Sequence, residues 1–229
     1  MMEFVSGSVW SACSIAGSAR THNSDAYSVS ECEGRLVVAV ADGVGALEGS
    51  PLASKAAVRA ATQWACGADL SRQDASESLF AAANEAIRQA LAEDRVSTGA
   101  TTLVCAVLEP AGVYLVTVGD SEIIAVDGDA GAVRLNPLDQ VEDQPNVLTA
   151  WLDGQAVFQP HSRRLERLPD RLLLVTDGVS KGLDYGRIGR VMRDTEAVLS
   201  ARSLVEAALA AGVTDDITAV VVFGQDAAG

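Results

Sequence analysis

Short runs of branched aliphatic residues, each closed by turn chemistry, punctuate the chain: Arg35–Ala41 (RLVVAVA), Thr101–Leu108, Val113–Val118, Glu122–Val126, Ala132–Leu135, Arg171–Thr176 and Ile217–Phe223. Valine, isoleucine and leucine at this density and length predict strands. Glu109-Pro110-Ala111-Gly112 and Asp127-Gly128-Asp129-Ala130-Gly131 have the composition of hairpin connections, so antiparallel pairing is expected around them.

Other segments carry helical spacing. Ser50 is placed to N-cap a helix with Pro51 at its first position, followed by alanine-rich sequence to about Trp64. A second helix is predicted from about Asp74 to Asp94, where Asp74 and Glu77 resemble a capping box and Leu79, Ala83, Ile87 and Leu91 share one face. A third fits Ser203–Ala211, ended by Gly212. A strand, two helices and then a run of strands is not a βαβ alternation, so α+β is the expected class.

The aspartates fall at the tips of the predicted strands. Asp42 follows Arg35–Ala41, Asp120 follows Val113–Val118 across one glycine, Asp177 follows Arg171–Thr176, and Asp215-Asp216 precede Ile217–Phe223. A carboxylate within a buried strand is costly to desolvate, but at a strand end it can face a cleft. Taken singly, Asp42-Gly43 and Asp177-Gly178 are ordinary turn dipeptides, Asp120-Ser121 fits an Asx turn, and Asp215-Asp216 fits a helix exit or an N-cap. Taken together, they suggest a hard-cation site, because Mg²⁺ and Mn²⁺ prefer oxygen ligands and a pair of such ions stabilises displacement at phosphorus.

Composition narrows the alternatives. With 229 residues and 48% hydrophobic content, the chain is expected to form a single domain over residues 1–229. A net charge of −14, with lysine only at 55 and 181, argues against nucleic-acid binding. Its surplus acid is either a solvated surface or a set of ligands gathered around cations. No signal-peptide pattern or membrane-length apolar run is present, so a cytoplasmic protein without membrane attachment is expected. Cys13, Cys32, Cys66 and Cys105 are scattered, and buried free thiols are preferred to zinc ligands or disulfides.

Six segments in order resemble the motifs of the PPM, or type 2C, protein phosphatases. They are Arg20–Ala26 (RTHNSDA), Val40–Gly45 (VADGVG), Gly99–Leu103 (GATTL), Val118–Ser121 (VGDS), Leu173–Val179 (LLVTDGV) and Asp215–Thr218 (DDIT), and the likeness runs from about Ser18 to Phe223. The compact length is similar to that of bacterial members. The resemblance implies a four-layer α-β-β-α sandwich, with two antiparallel sheets packed face to face and helices outside. It implies two Mn²⁺ or Mg²⁺ ions and a third site known in bacterial relatives. Asp42 would bridge the ions, the Gly43 carbonyl would bind one of them, Asp177 and Asp215 would complete the other, and Asp120 with Asp177 would serve the third. Asp25 would hold ion-bound water, and Arg20 would grip the substrate phosphate. The implied activity is hydrolysis of phosphoserine or phosphothreonine on proteins of a kinase pathway, by a monomeric enzyme. Gly99 and Thr101 are expected to be structural.

The chain departs from the family pattern in places. Ser24 stands where an acid is common, Ala46 replaces a frequent glycine, Glu122 stands where arginine is usual, and Asp216 takes an asparagine position. Val44 occupies the place of a candidate acid histidine of some eukaryotic relatives. Ser24 and Glu122 motivate an alternative, the same fold used as a regulatory binding module without activity. A metal phosphohydrolase acting on small molecules is a third possibility. His22 and His161 are expected to be solvated, as is the strip Arg163, Arg164 and Arg167. The polar segment Asp139–Pro145 predicts a short flap and an open site.

Overall fold

The computed structural model describes residues 2–224 apart from 8, 19, 33, 46, 129, 130, 156 and 157. Its first strands are β1 (Glu3–Ser6), β2 (Trp10–Ile15), β3 (Ala26–Cys32) and β4 (Arg35–Ala41), followed by helices α1 (Ser50–Gly67) and α2 (Ala75–Glu93). The next are β5 (Leu103–Glu109), β6 (Gly112–Val118), β7 (Glu122–Val126), β8 (Ala132–Arg134), β9 (Gln140–Val141), β10 (Gln144–Leu148), β11 (His161–Leu165) and β12 (Arg171–Val175). Helices α3 (Asp177–Ser180), α4 (Tyr185–Asp194) and α5 (Ser200–Ala210) precede β13 (Ile217–Phe223). The class is α+β, with antiparallel pairing in both large sheets.

The chain divides into two compact units, each interrupted in sequence. The central unit spans Ser24–Ser121 and Pro137–Arg167. It holds a five-stranded sheet in the order β11-β6-β5-β4-β3 and the small β9-β10 hairpin. One face of that sheet, with Val37, Ala39, Ala41, Leu103, Cys105 and Val107, packs with Ala53, Ala57, Ala61 and Ala65 of α1 and with Leu79, Ala83, Ile87 and Leu91 of α2. The alanines let α1 lie close to the strands, and the predicted stripe on α2 faces the core as expected. Val38, Val40, Val104 and Ala106 alternate with these residues and are also wholly buried, so both faces of the sheet are covered.

The terminal unit spans Met1–Asn23, Glu122–Asn136 and Leu168–Gly229. Its six-stranded sheet has the order β1-β2-β13-β12-β7-β8. Ile124, Leu173, Val175, Ile217, Ala219 and Val221 pack with Ile188 and Met192 of α4 and with Ala201, Leu204, Val205 and Ala208 of α5.

Several local expectations are corrected. Ser50 is not the N-cap of α1, a position held by Gly49; its hydroxyl instead donates to the Val44 carbonyl at 2.8 Å. The capping box on α2 does not form, because Asp74 is bound by Arg72 at 2.8 Å and Glu77 accepts from Ser76. The last helix begins at Ser200, three residues ahead of the prediction. Of the two hairpins, β5-β6 closes at Glu109 and Gly112 as predicted. The β7-β8 pair also forms, though residues 129 and 130 of its connection, like Ala46, lie outside the described residues.

The cysteine expectation fails for one pair. Cys32, ending β3, is disulfide-bonded to Cys66 in the last turn of α1, with Cα atoms 5.7 Å apart. The packing of α1 on β3 brings together residues 34 apart in sequence, a proximity that spacing alone does not reveal. Cys13 and Cys105 are free and buried, and burial pushes their thiols up to about 11 and about 12.

Candidate functional site

Within the central unit, β4 and β6 both run antiparallel to β5 and therefore end at the same edge of the sheet. β3 starts there too, since Ala26 pairs with Ala41. Asp25, Asp42 and Asp120 thus share one edge, and Asp25 and Asp120 are buried. The backbone carrying Asp42 is clamped by hydroxyls. The Asp42 N–H donates to Thr102 Oγ1 at 2.9 Å, and its carbonyl accepts from Thr102 N–H and Thr101 Oγ1, each at 2.9 Å. Thr102 Oγ1 also lies 2.7 Å from Ser121 Oγ, which couples the Asp42 strand end to that of Asp120. Gly43 must lack a side chain, because a Cβ would lie 2.7 Å from the Ser24 carbonyl oxygen.

Asp139, read in the sequence as part of a polar flap, holds the turn before Asp120. It accepts from Gly119 N–H at 2.9 Å and donates its own N–H to the Gly119 carbonyl at 3.0 Å. His161 Nε2 lies 2.8 Å from the same carboxylate, so this histidine has a structural partner. Arg164 is likewise more than a solvated residue: it donates to the Leu70 carbonyl and stacks 4.5 Å over Tyr114.

In the terminal unit, the end of β12, the starts of β13 and β7 and the end of β2 meet at one edge. Asp177, Asp215, Asp216 and Glu122 therefore fall together. A buried polar chain organises that edge. Thr176 N–H donates to the Thr218 carbonyl and Thr218 N–H to Thr176 Oγ1, both at 3.0 Å. Ser14 Oγ lies 2.7 Å from Thr218 Oγ1 and accepts from Asn23 Nδ2 at 2.8 Å. The threonines of the LLVTDGV and DDIT motifs and the asparagine of RTHNSDA thus act together, a role that spacing alone had not shown. Gly178 is required by close approach, since a Cβ there would sit 2.1 Å from the Asp216 carbonyl oxygen.

The terminal-unit carboxylates are met by cations. Lys181 Nζ lies 2.6 Å from Asp177 Oδ2 and 2.8 Å from Asp215 Oδ2, and Arg20 Nη2 lies 3.0 Å from Asp215 Oδ1. Burial would raise the Asp215 carboxyl, but the bonds from Lys181 and Arg20 outweigh it and hold the group below the usual carboxylate range. Burial likewise opposes the Lys181 charge, and the two carboxylates overcome it, holding the ammonium well above its ordinary value. Asp177 Oδ1 is buried with no hydrogen-bond partner among the described residues.

The two unexplained departures acquire partners. Glu122 is buried, accepts from the Tyr185 hydroxyl at 2.5 Å and lies 3.8 Å from Arg134. Burial, followed by this bond to Glu122, pushes the Tyr185 hydroxyl up to about 12. Asp216 accepts from Gly17 N–H at 2.8 Å and so pins the segment that leads to Arg20. Glu122 is therefore a structural anchor, and it no longer argues for an inactive site.

Among the described residues, no group of three or more His, Cys, Asp or Glu side chains stands in a metal-holding arrangement. No helix among them is long and apolar enough to cross a membrane.

Two sets of strand-tip acids on two antiparallel sheets, embedded in hydroxyl networks, define the chain by class, and comparison with known proteins supplies the family. The model of the protein phosphatase 2C family matches residues 17–213, a span that takes in Arg20, Asp25, Asp42, Asp120 and Asp177 and stops short of Asp215. The chain belongs to the protein phosphatase 2C family. The serine/threonine phosphatase Stp1 from Staphylococcus aureus superposes with a TM-score of 0.82 at 19% identity, covering 98% of each chain. The Mycobacterium tuberculosis serine/threonine phosphatase PstP/Ppp gives 0.79 at 25% identity over 93% of this chain and 97% of that one. The catalytic domain of PstP in complex with two manganese ions gives 0.78 at 24% identity, over 93% and 96%. No curated protein matches the chain.

Proposed function

We propose that this protein is a metal-dependent serine/threonine phosphatase acting on phosphorylated proteins of a kinase pathway. The observation that carries the reading is the Asp177–Asp215 pair, whose carboxylates both contact one cationic group while a buried oxygen of Asp177 has no partner among the described residues. Carboxylates that accept a cation at 2.6 and 2.8 Å have the donor chemistry of a Mn²⁺ or Mg²⁺ site, and no histidine or cysteine is needed.

The acid and carbonyl oxygens at these strand ends are donors of the kind the implied ions take. By the family resemblance, Asp42, the Gly43 carbonyl, Asp120, Asp177 and Asp215 would serve as ligands, and Asp25 would orient bound water. Two bound divalent cations supply Lewis acidity toward phosphoryl oxygens and an activated water. The remaining work belongs to the chain. Arg20 offers a forked donor to the phosphate, and Asp215 and the Asp216-pinned backbone hold its segment in place. Thr102 and Thr101 fix the backbone that carries Asp42, and Ser121 bonds to the Thr102 hydroxyl.

The test is Mn²⁺-dependent hydrolysis of an aryl phosphate and of a phosphothreonine peptide, reversed by chelation. Asp42→Asn and Asp177→Asn should each abolish turnover. Undiminished activity in either variant overturns the reading, and a wild-type protein that binds Mn²⁺ without turnover points to the regulatory-module alternative.

A further inference from the structure

Lysine is rare in this chain, occurring only at 55 and 181, and one of the two sits on the candidate ligands. The backbone puts it there. Thr176 is extended and Asp177 opens α3, so position 181 falls one helical turn after Asp177, with its N–H donating to the Asp177 carbonyl at 2.8 Å. The ammonium then reaches both Asp177 Oδ2 and Asp215 Oδ2, at 2.6 and 2.8 Å. These oxygens are what a divalent ion at Asp177 and Asp215 would use.

We infer that Lys181 is a tethered counter-ion that competes with the divalent cation for Asp177 and Asp215 and so sets how much metal the enzyme requires. The inference rests on the phosphatase reading given above. A divalent ion that takes either carboxylate must displace the ammonium from that oxygen. The displaced side chain remains attached one turn away, where its charge continues to oppose the ion. Because the ammonium is covalently held, its local concentration does not fall on dilution, and the competition is present at any protein concentration. The lysine side chain is 39% exposed, so it has water to move into when displaced, and the exchange is reversible.

Calorimetric titration with Mn²⁺ tests this on the wild type, Lys181→Met and Lys55→Met, each checked by thermal unfolding. Methionine keeps an apolar stem of similar length without the charge. Lys181→Met should bind Mn²⁺ about tenfold more tightly, as two partly exposed ion pairs are removed from the competing state. Lys55→Met, which removes an equal charge from the exposed face of α1, should leave the affinity unchanged. If Lys181→Met binds with unchanged or weaker affinity while the wild type binds well, the lysine only positions its neighbours and the inference falls, leaving the phosphatase reading intact. If neither protein binds Mn²⁺, the phosphatase reading falls and the inference falls with it. Binding by the variant alone supports the competition in its strongest form.

Discussion

In the central unit, Asp42 hangs from a backbone fixed by Thr101, Thr102 and Ser121, all neutral hydroxyl donors and acceptors. In the terminal unit, hydroxyls again tie the strand ends, but the Asp177 and Asp215 carboxylates themselves bond to Lys181 and Arg20. The hydroxyl bonds fix the backbone that carries Asp42, whereas Lys181 and Arg20 answer the carboxylate charges of Asp177 and Asp215 directly. The units also differ in covalent bracing, since only the central unit carries a disulfide, between Cys32 and Cys66. In the central unit the acid-bearing strand ends are tied through neutral groups, and in the terminal unit the carboxylates are bonded to cations.

The largest test of this contrast is reduction. The disulfide closes a loop of 34 residues within the central unit, and chain-entropy reasoning assigns such a loop about 3–4 kcal/mol. Urea unfolding with and without reductant should show a loss of that order, and the paired variant Cys32→Ser/Cys66→Ser should match the reduced protein. Because the bond ties β3 to α1, a tryptophan probe at Trp64 should report the loss. A reduced protein as stable as the oxidised one would remove the bracing from the comparison.

The neutral clamp is tested by Thr102→Val. This nearly isosteric change takes the acceptor from the part-buried Asp42 N–H and the Thr102 hydroxyl from Ser121, for a cost of about 1–3 kcal/mol. A residue that orients a ligand should also matter to the ion, so Mn²⁺ affinity should fall by about 10–100-fold. Thr176→Val makes the equivalent cut in the terminal unit, taking the acceptor from Thr218 N–H at a similar cost in stability. If Thr102→Val loses stability and keeps its Mn²⁺ affinity, the hydroxyl scaffold serves the fold alone.

How much of this the sequence revealed depends on where polar residues sit. Strands β4, β7 and β13 are legible to the residue because apolar residues fill their runs, with a single charged or polar residue near the start of each. Strands β2 (WSACSI) and β3 (AYSVSEC) were missed, because their serines interrupt the apolar pattern while bonding across to Thr218 and Thr62. Strand β11 (HSRRL) has little apolar signal because it edges its sheet. Helix α4 contains two glycines and is not among the predicted helices; Asp184 caps it by accepting from Arg187 N–H at 2.7 Å. Asp42, Asp120, Asp177, Asp215 and Asp216 lie at the strand ends expected from the strand boundaries, whereas Asp25 enters only through the family resemblance, because β3 is not among the predicted strands. Lys181 could not be placed. Reading Asp177-Gly178 as a turn hides the helix that brings the lysine back beside Asp177, and its contact with Asp215 depends on β12 pairing with β13.

The smallest expected effect separates the cationic contacts from the neutral ones by pH. Asp215 is held below the ordinary carboxylate range, so its contribution to stability is present above about pH 4 and fades as pH falls through the lowered value. Lys181 is shifted the other way, and its contribution is present below the ordinary lysine value near 10.4 and fades only as pH rises through the raised one. Between these limits the ion pairs are constant. As both partners are partly exposed, their joint worth is below about 1 kcal/mol. Urea midpoints measured from pH 3 to 7 should therefore separate wild type from Lys181→Met by a small, steady margin above pH 5. That margin should shrink as pH falls through the lowered Asp215 value, because a protonated Asp215 no longer needs a counter-charge. Thr102→Val, which removes neutral bonds, should keep the same deficit across the whole range. A Lys181→Met margin that likewise ignores pH would mean that the lysine stem, rather than its charge, stabilises the terminal unit.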